Sequence, residues 1–202
     1  GKLIDLAQPK VMGIINITPD SFYSGSRSTS EKELLLTAEK MLSEGADFLD
    51  LGAYSSRPGA DDITIVDELN RMLPSIEIIL NKFPEAILSI DTFRAEVAEK
   101  SIIAGAAMIN DISAGKLDDK MLPIIAKYQV PYIMMHMKGN PQTMKTLNQY
   151  EDLTADVLFY FSERINAARE ARINDLIIDP GFGFAKDIDQ NFELLSRLEL
   201  FQ

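Results

Sequence analysis

The 202-residue sequence contains no cysteine and a single histidine, His136. Without cysteine there is no disulfide, no thiolate nucleophile and no zinc–sulfur centre. One histidine does not make a multi-histidine metal site. A metal held by side chains here needs oxygen ligands, which favours magnesium, calcium or manganese. No apolar run approaches the ~18 residues needed to span a membrane. The opening stretch GKLIDLAQPK lacks the apolar core of a signal peptide. A soluble cytoplasmic protein is therefore the default expectation. Positive charge is scarce as well: 20 Lys and Arg stand against 31 Asp and Glu, a net charge of −11. That argues against nucleic acid as a main partner, because backbone-phosphate binding draws on clustered Lys and Arg. It leaves room for a small anion at a local site. Low-complexity tracts and P-loops are absent, and no Gly-rich dinucleotide fingerprint follows the first apolar run.

What is present is an alternation. Short apolar runs recur at Val11–Asn16, Asp47–Gly52, Ala86–Asp91, Ala107–Asp111, Pro131–Met137 and Asp175–Gly181. They are nearly continuous in apolar character, as strands of a parallel sheet buried on both faces should be. The segments between them carry helical periodicity. Leu34, Ala38, Met41 and Leu42 form one face of the first, which the spacing of Ser30 and Glu33 predicts to begin in a capping box and Gly45 to end. The second segment contains Pro74, where a kink or break is expected. A third ends at Gly105, a short fourth contains Pro123, a fifth runs from about Tyr150 to Arg172, and a sixth carries Phe192, Leu195 and Leu198. Six βα units without a linker predict one domain over 1–202, either a doubly wound sheet or a (β/α)8 barrel. The missing nucleotide-binding glycines weaken the first choice.

The runs also end alike. Asn16, Asp50, Asp91, Asn110 with Asp111, His136 and Asp179 place an amide, carboxylate or imidazole at or near the carboxyl end of each strand. Each has a bland explanation. Asn16 suits a turn, Asp91 before Thr92 suits a helix cap, and Asp179 before Pro180 suits a loop. A lone histidine is more often structural than catalytic, and Asp50 and Asp111 read more readily as structural hydrogen-bonding groups than as ligand contacts. Six independent caps explain the repetition poorly. A shared polar site on the rim of a barrel explains it better. Carboxylates and amides with few cations, among Met134, Phe182 and Phe184, suit a flat heterocycle with a guanidine-like edge. The loops around Ser55, Ser56 and Arg57 suit an anionic group, and Asn16 offers an oxygen to Mg2+ if a phosphate supplies further ligands.

Taken together, MGIINITPDSF, DLGAYSSRPGA, LSIDTFRAEVAEKSIIAGAAMINDISAG, YIMMHMKGNPQTM and LIIDPGFGF resemble dihydropteroate synthase, from Met12 to the last helix. The resemblance implies a (β/α)8 TIM-type barrel of folate biosynthesis, usually homodimeric. It also implies Mg2+-dependent joining of p-aminobenzoate to 6-hydroxymethyl-7,8-dihydropterin pyrophosphate with release of pyrophosphate. By the same resemblance Asp91, Asn110 and Asp179 would hold the pterin, Met134 and Phe184 would pack near it, and Asn16 would face Mg2+ and the pyrophosphate. Ser56 and Arg57 would sit in the second loop, and Phe22 and Pro58 would help enclose p-aminobenzoate. Asp91 is the candidate for stabilising positive charge at the pterin methylene.

Two departures qualify the expectation. Ser24 stands where many relatives have Asp. The family's Ser-Arg-Lys and Arg-x-His motifs, on its seventh and eighth strands, do not follow Asp179. Six units against the eight of a barrel of roughly 250 residues predict a chain short of two C-terminal units and weak as a catalyst by itself. The competing expectations are a pterin-binding methyltransferase domain and a non-catalytic pterin-binding fragment.

Overall fold

A computed structural model describes residues 4–17, 27–54, 63–139, 143 and 147–201, with 27–30 described by backbone alone. Among these residues six strands alternate with six helices: β1 Met12–Asn16, α1 Arg27–Ser43, β2 Phe48–Gly52, α2 Ile65–Lys82, β3 Leu88–Asp91, α3 Ala95–Ile103, β4 Met108–Asp111, α4 Met121–Tyr128, β5 Tyr132–Met135, α5 Leu153–Glu170, β6 Leu176–Asp179 and α6 Ile188–Ser196. A 3-10 turn at Leu198–Phe201 follows. No described helix is long and apolar enough to cross a membrane.

All strand pairs are parallel, in the order β1-β2-β3-β4-β5-β6. Sequential order decides between the two architectures. A doubly wound sheet reverses its order at a switch point. Six strands in succession, each joined by a right-handed crossover, put every helix on the same face. This is the arc of a TIM-type barrel, and among the described residues β1 and β6 are its two edges.

The local sequence accounts for most element boundaries. Thr64 caps α2 by accepting a hydrogen bond from the Asp67 N–H. Asp152 does the same for α5 through Ala155, and Asp187 with Gln190 forms a full capping box for α6. Gly45 (φ 104°) and Gly105 (φ 114°) end α1 and α3 in the left-handed region, where glycine has no Cβ to clash. One expectation fails. The first helix begins at Arg27, upstream of the Ser30 capping box. α2 runs through Pro74 without the break that is one of the two outcomes expected there. Beside that proline the Ser75 hydroxyl bonds the Arg71 carbonyl, and Met72, Ser75, Ile76 and Ile79 stay buried. Packing of that face outweighs the ~3 kcal/mol penalty of an internal proline.

Strand residues alternate between two environments. Ile15, Leu49, Leu51, Leu88, Ile90, Ile109, Tyr132 and Met134 face the helices and join Met72, Ile76, Ala98, Ile125 and Phe161 in the main core. Each fully buried Leu or Ile contributes roughly 1.5–3 kcal/mol. The other face, away from the helices, carries the apolar cluster of Phe48, Met108 and Ile133 with Met12 and Ile177 at the amino ends of the strands. Polar residues lie towards the carboxyl ends.

Candidate active site

Register places the polar residues together. On the inner face, one row of strand partners runs Asn16, Gly52, Asp91, Asn110, Ile133, Ile177. The row beneath holds Ile14, Asp50, Ser89 and Met108. The row above holds Met135 opposite Asp179. Asn16, Asp91, Asn110 and Asp179, four residues singled out in the sequence, therefore share one surface at the end of the barrel that carries active sites in this architecture.

Gly52 shapes the middle of that surface. A Cβ built there would lie 3.4 Å from Asp91 Oδ2 and 3.9 Å from Asn16 Oδ1. Its backbone is ordinary strand, so what glycine supplies here is room. The room is lined by two oxygens from different strands, the hard donors that suit Mg2+. Among the described residues no group of three His, Cys, Asp or Glu forms a metal cage. A metal at Asn16 would thus need most of its ligands from a phosphate and water.

The carboxylates have unlike surroundings. Asp91 lies deep in the sheet with one edge still open. Burial first, then the carboxylates Asp50, Asp111 and Glu68, raise its pKa well above the usual range. No described side chain donates to it. The helix-cap explanation fails, because Arg94 N bonds Thr92 and Ala95 N bonds Asp118. Asp50 is likewise raised by burial, and Asp179 adds to the effect. Asp179 keeps part of its bland role: its Oδ1 accepts from the Gly181 N–H at 2.8 Å. Asp111 points to the helices. It accepts from Ser113 N and Oγ, Gly115 N and Tyr132 OH at 2.6–2.8 Å. That satisfied carboxylate is structural.

One sequence expectation needs correction, and the structural reading of the lone histidine holds. Met134 is not in the site: it is fully buried on the helix-facing side, paired in register with Asp111. The inner-face residue is Met135, which clusters with Ile112, Met137, Phe93 and Phe184. Parity separates the two, since a one-residue step flips a strand side chain to the other face. His136 also faces the helices. Its ring packs edge-on against Tyr160 at 4.8 Å, and its pKa falls to about 3 through burial and then the nearby Lys186. It is structural. Phe184 stays at the rim beside Met135, whereas Phe182 is exposed. Phe22, Ser56, Arg57 and Pro58 lie outside the described residues.

Behind the rim, Lys186 is buried and donates to the Gly181 and Phe184 carbonyls and to His136 Nδ1. Burial lowers its pKa to about 7, against the pull of Asp179. Glu68, also buried, accepts from Thr92 and Arg94 at 2.8 Å, and the Arg94 guanidinium lies over Tyr54 and Phe93. These contacts tie the loop after β3 to α2 and to the end of β2. A cavity of about 290 Å³ lined by Phe48, Met108, Asn174 and Ile177 lies at the opposite end of the strands, away from the carboxylates.

Comparison with known proteins agrees with this geometry. The sequence model of the family described as "Pterin binding enzyme" matches residues 12–202. The folic acid synthesis protein fol1 of Schizosaccharomyces pombe is 44% identical over 93% of this chain and 26% of its own length. The dihydropteroate synthase of Synechocystis is 41% identical over 93% of this chain and 65% of its own. Two structures of the Xanthomonas albilineans dihydropteroate synthase superpose closely. The one with 4-aminobenzoic acid has a TM-score of 0.86 at 40% identity, covering 97% of this chain and 70% of that one. The one with 7,8-dihydropteroate has 0.82 at 36%, covering 98% and 70%. The chain belongs to the dihydropteroate synthase family of pterin-binding enzymes. It spans less than two thirds of the length of the fol1 and Synechocystis relatives.

Proposed function

We propose that this chain supplies the pterin-binding part of a transferase of folate biosynthesis. The reaction is condensation of p-aminobenzoate with 6-hydroxymethyl-7,8-dihydropterin pyrophosphate. The amine nitrogen forms a bond to the pterin methylene, the methylene C–O bond breaks, pyrophosphate leaves with the electron pair, and the amine releases a proton to solvent. The observation that carries this reading is the convergence of Asp91, Asn110 and Asp179 on one inner surface, with Gly52 leaving room between Asn16 and Asp91. The similarity to Xanthomonas albilineans dihydropteroate synthase, in one structure with 4-aminobenzoic acid and in another with 7,8-dihydropteroate, supports it.

The roles follow from the environments. Asp91 and Asp179 accept from the N–H donors of the ring. Desolvated and crowded by other carboxylates, Asp91 has no donor among the described residues; a guanidine-like edge supplies one and favours its anionic form. That charge then faces the methylene as positive character develops. Met135 and Phe184 wall the ring on one side. Asn16 is the residue that would meet the Mg2+ accompanying the diphosphate, whose contribution is to neutralise leaving-group charge. Phe22, which follows β1 in sequence, and Ser56, Arg57 and Pro58, which follow β2, are the candidates for gripping the phosphates and p-aminobenzoate. Homodimerisation and a cytoplasmic location belong to the same proposal.

The test is product formation. The whole protein containing this chain is given both substrates with Mg2+, and dihydropteroate and pyrophosphate are measured together. Stoichiometric release of both, lost on Asp91→Asn, is expected. Release of neither, from protein that is folded, overturns the reading.

A further inference from the structure

A carboxylate, Asp50, lies deep on the inner face. It is 4% exposed, in the row beneath Asp91 and Asn110. Its Oδ2 accepts from Asn110 Nδ2 at 3.1 Å, reaching across β3. Its Oδ1 is fully buried beside the hydroxyl of Ser89, its register neighbour, which favours the charged form without closing a well-formed hydrogen bond among the described residues. A buried carboxylate held only by an amide and the hydroxyl of a neighbouring strand is expensive, and burial dominates its electrostatics. Neighbouring carboxylates raise the cost further, since Asp50 and Asp91 disfavour each other's charge, as do Asp50 and Asp179. A fold seeking only stability would put an apolar residue there, as it does at Met108 and Ile133 in the adjoining positions.

We infer that Asp50 is a positioning residue that fixes the amide of Asn110 and so decides which rings the site accepts. An ionised carboxylate has no proton to give, so it only accepts. The NH2 of Asn110 is therefore committed downwards, and Oδ1 faces the mouth. Asp91, Asn110 Oδ1 and Asp179 then present a row of acceptors. A ring is admitted if it offers N–H groups along that edge. An isosteric ring with a bare nitrogen in the same place meets acceptor against acceptor and is rejected. Without Asp50 the amide is free to turn and present its NH2, and the selection is lost. This deepens the pterin reading and rests on it for the choice of ligand.

The experiment uses a matched pair of rings, 6-hydroxymethyl-7,8-dihydropterin and its fully oxidised counterpart, which differ in an N–H donor of the second ring. Affinities are measured by calorimetry for the parent protein, for Asp50→Asn and for the double swap Asp50→Asn/Asn110→Asp. One misdirected hydrogen bond in a buried site is worth roughly tenfold or more. In Asp50→Asn the dihydro preference is expected to shrink by about that factor, with the KM for p-aminobenzoate unchanged. The double swap restores the preference, because an amide at 50 donates to a carboxylate at 110, whose other oxygen again faces the mouth. A preference unchanged in Asp50→Asn, or lost equally in the double swap, overturns the inference. A second readout needs no pterin. In the ligand-free protein the Asn110 side-chain NH2 should be protected from hydrogen exchange, and Asp50→Asn should remove that protection. If the parent binds neither ring, the proposed function fails, and the exchange measurement still decides the role of Asp50.

Discussion

Nζ of Lys186 lies 2.9 Å from Nδ1 of His136 and 3.0 Å from the carbonyl oxygens of Gly181 and Phe184. An ammonium group has three N–H donors, and here each finds an acceptor. The contact fastens the loop after β6, which carries Phe184 and follows Asp179, to the end of β5. Gly181 is pressed into the same joint: its φ is 72°, and a Cβ on it would overlap the His136 carbonyl. Lys186→Met should therefore loosen the wall of the site while keeping the bulk of the side chain. Three buried acceptors lose their donor, so a loss of about 1–3 kcal/mol in stability is expected, with weaker pterin binding. Thermal unfolding and pterin titration check it. An unchanged melting temperature and unchanged affinity would sink the idea.

His136 makes a pH prediction. Its pKa in the fold is about 3 against 6.5 in an unfolded chain. As pH falls below 6.5 the unfolded chain takes up a proton that the folded protein refuses until about pH 3. The neutral imidazole thus contributes stability that is present above pH 6.5 and is lost between 6.5 and 3. The slope is at most about 1.4 kcal/mol per pH unit. Asp50, Glu68, Asp91 and Asp111, whose pKa values are raised, act in the opposite direction, so the parent's curve alone is a sum. Comparison with His136→Gln isolates the histidine. The variant keeps an acceptor for Lys186 and should lose less stability than the parent from pH 6.5 to 4. Parallel curves would count against a buried neutral histidine.

Gly52→Ala separates room from conformation. The added methyl makes ordinary van der Waals contact with Asp91 and sits in unstrained strand backbone. Stability should change by less than ~1 kcal/mol. The same methyl stands between Asn16 and Asp91, where the diphosphate end of the substrate is proposed to lie. Affinity for the pyrophosphate-bearing pterin should fall about tenfold or more, equivalent to ~1.4 kcal/mol. The pterin without phosphates should be affected less. Equal losses for both ligands would place the diphosphate elsewhere.

The order of strands and helices was legible in the sequence because each parallel strand is a short apolar run and each helix has a 3.6-residue stripe. The polar strand ends were legible for the same reason, as interruptions in apolar runs. Two kinds of information were not. The wholly apolar run Tyr132–Met135 gives no cue to which residues face inwards. Only register with Asn110 and Asp179 on the neighbouring strands shows that Ile133 and Met135 do. The weight of Asp50 was also hidden. Its neighbours in sequence are apolar on both sides, and its partner Asn110 is 60 residues away. Local propensity does not show that the helix holds without a break at Pro74, because it cannot register how much of α2 is buried.

The assignment of parity on β5 carries the last prediction. Met134 is fully buried in the helix-facing core, and Met135 is buried in the small cluster at the rim with Phe184. Met134→Ala leaves a cavity between sheet and helices, so it should cost about 2–5 kcal/mol of stability. Ligand affinity should survive in whatever fraction stays folded. Met135→Ala opens a gap beside Asp179 and Phe184, where fewer neighbours depend on it. Its cost should be smaller, but pterin affinity should fall, because the ring loses apolar contact on one side. The two variants differ by one position and remove the same atoms, so composition cannot explain a difference between them. Denaturant unfolding and pterin titration on the pair decide it. If Met134→Ala loses affinity and Met135→Ala loses only stability, the faces have been assigned the wrong way round.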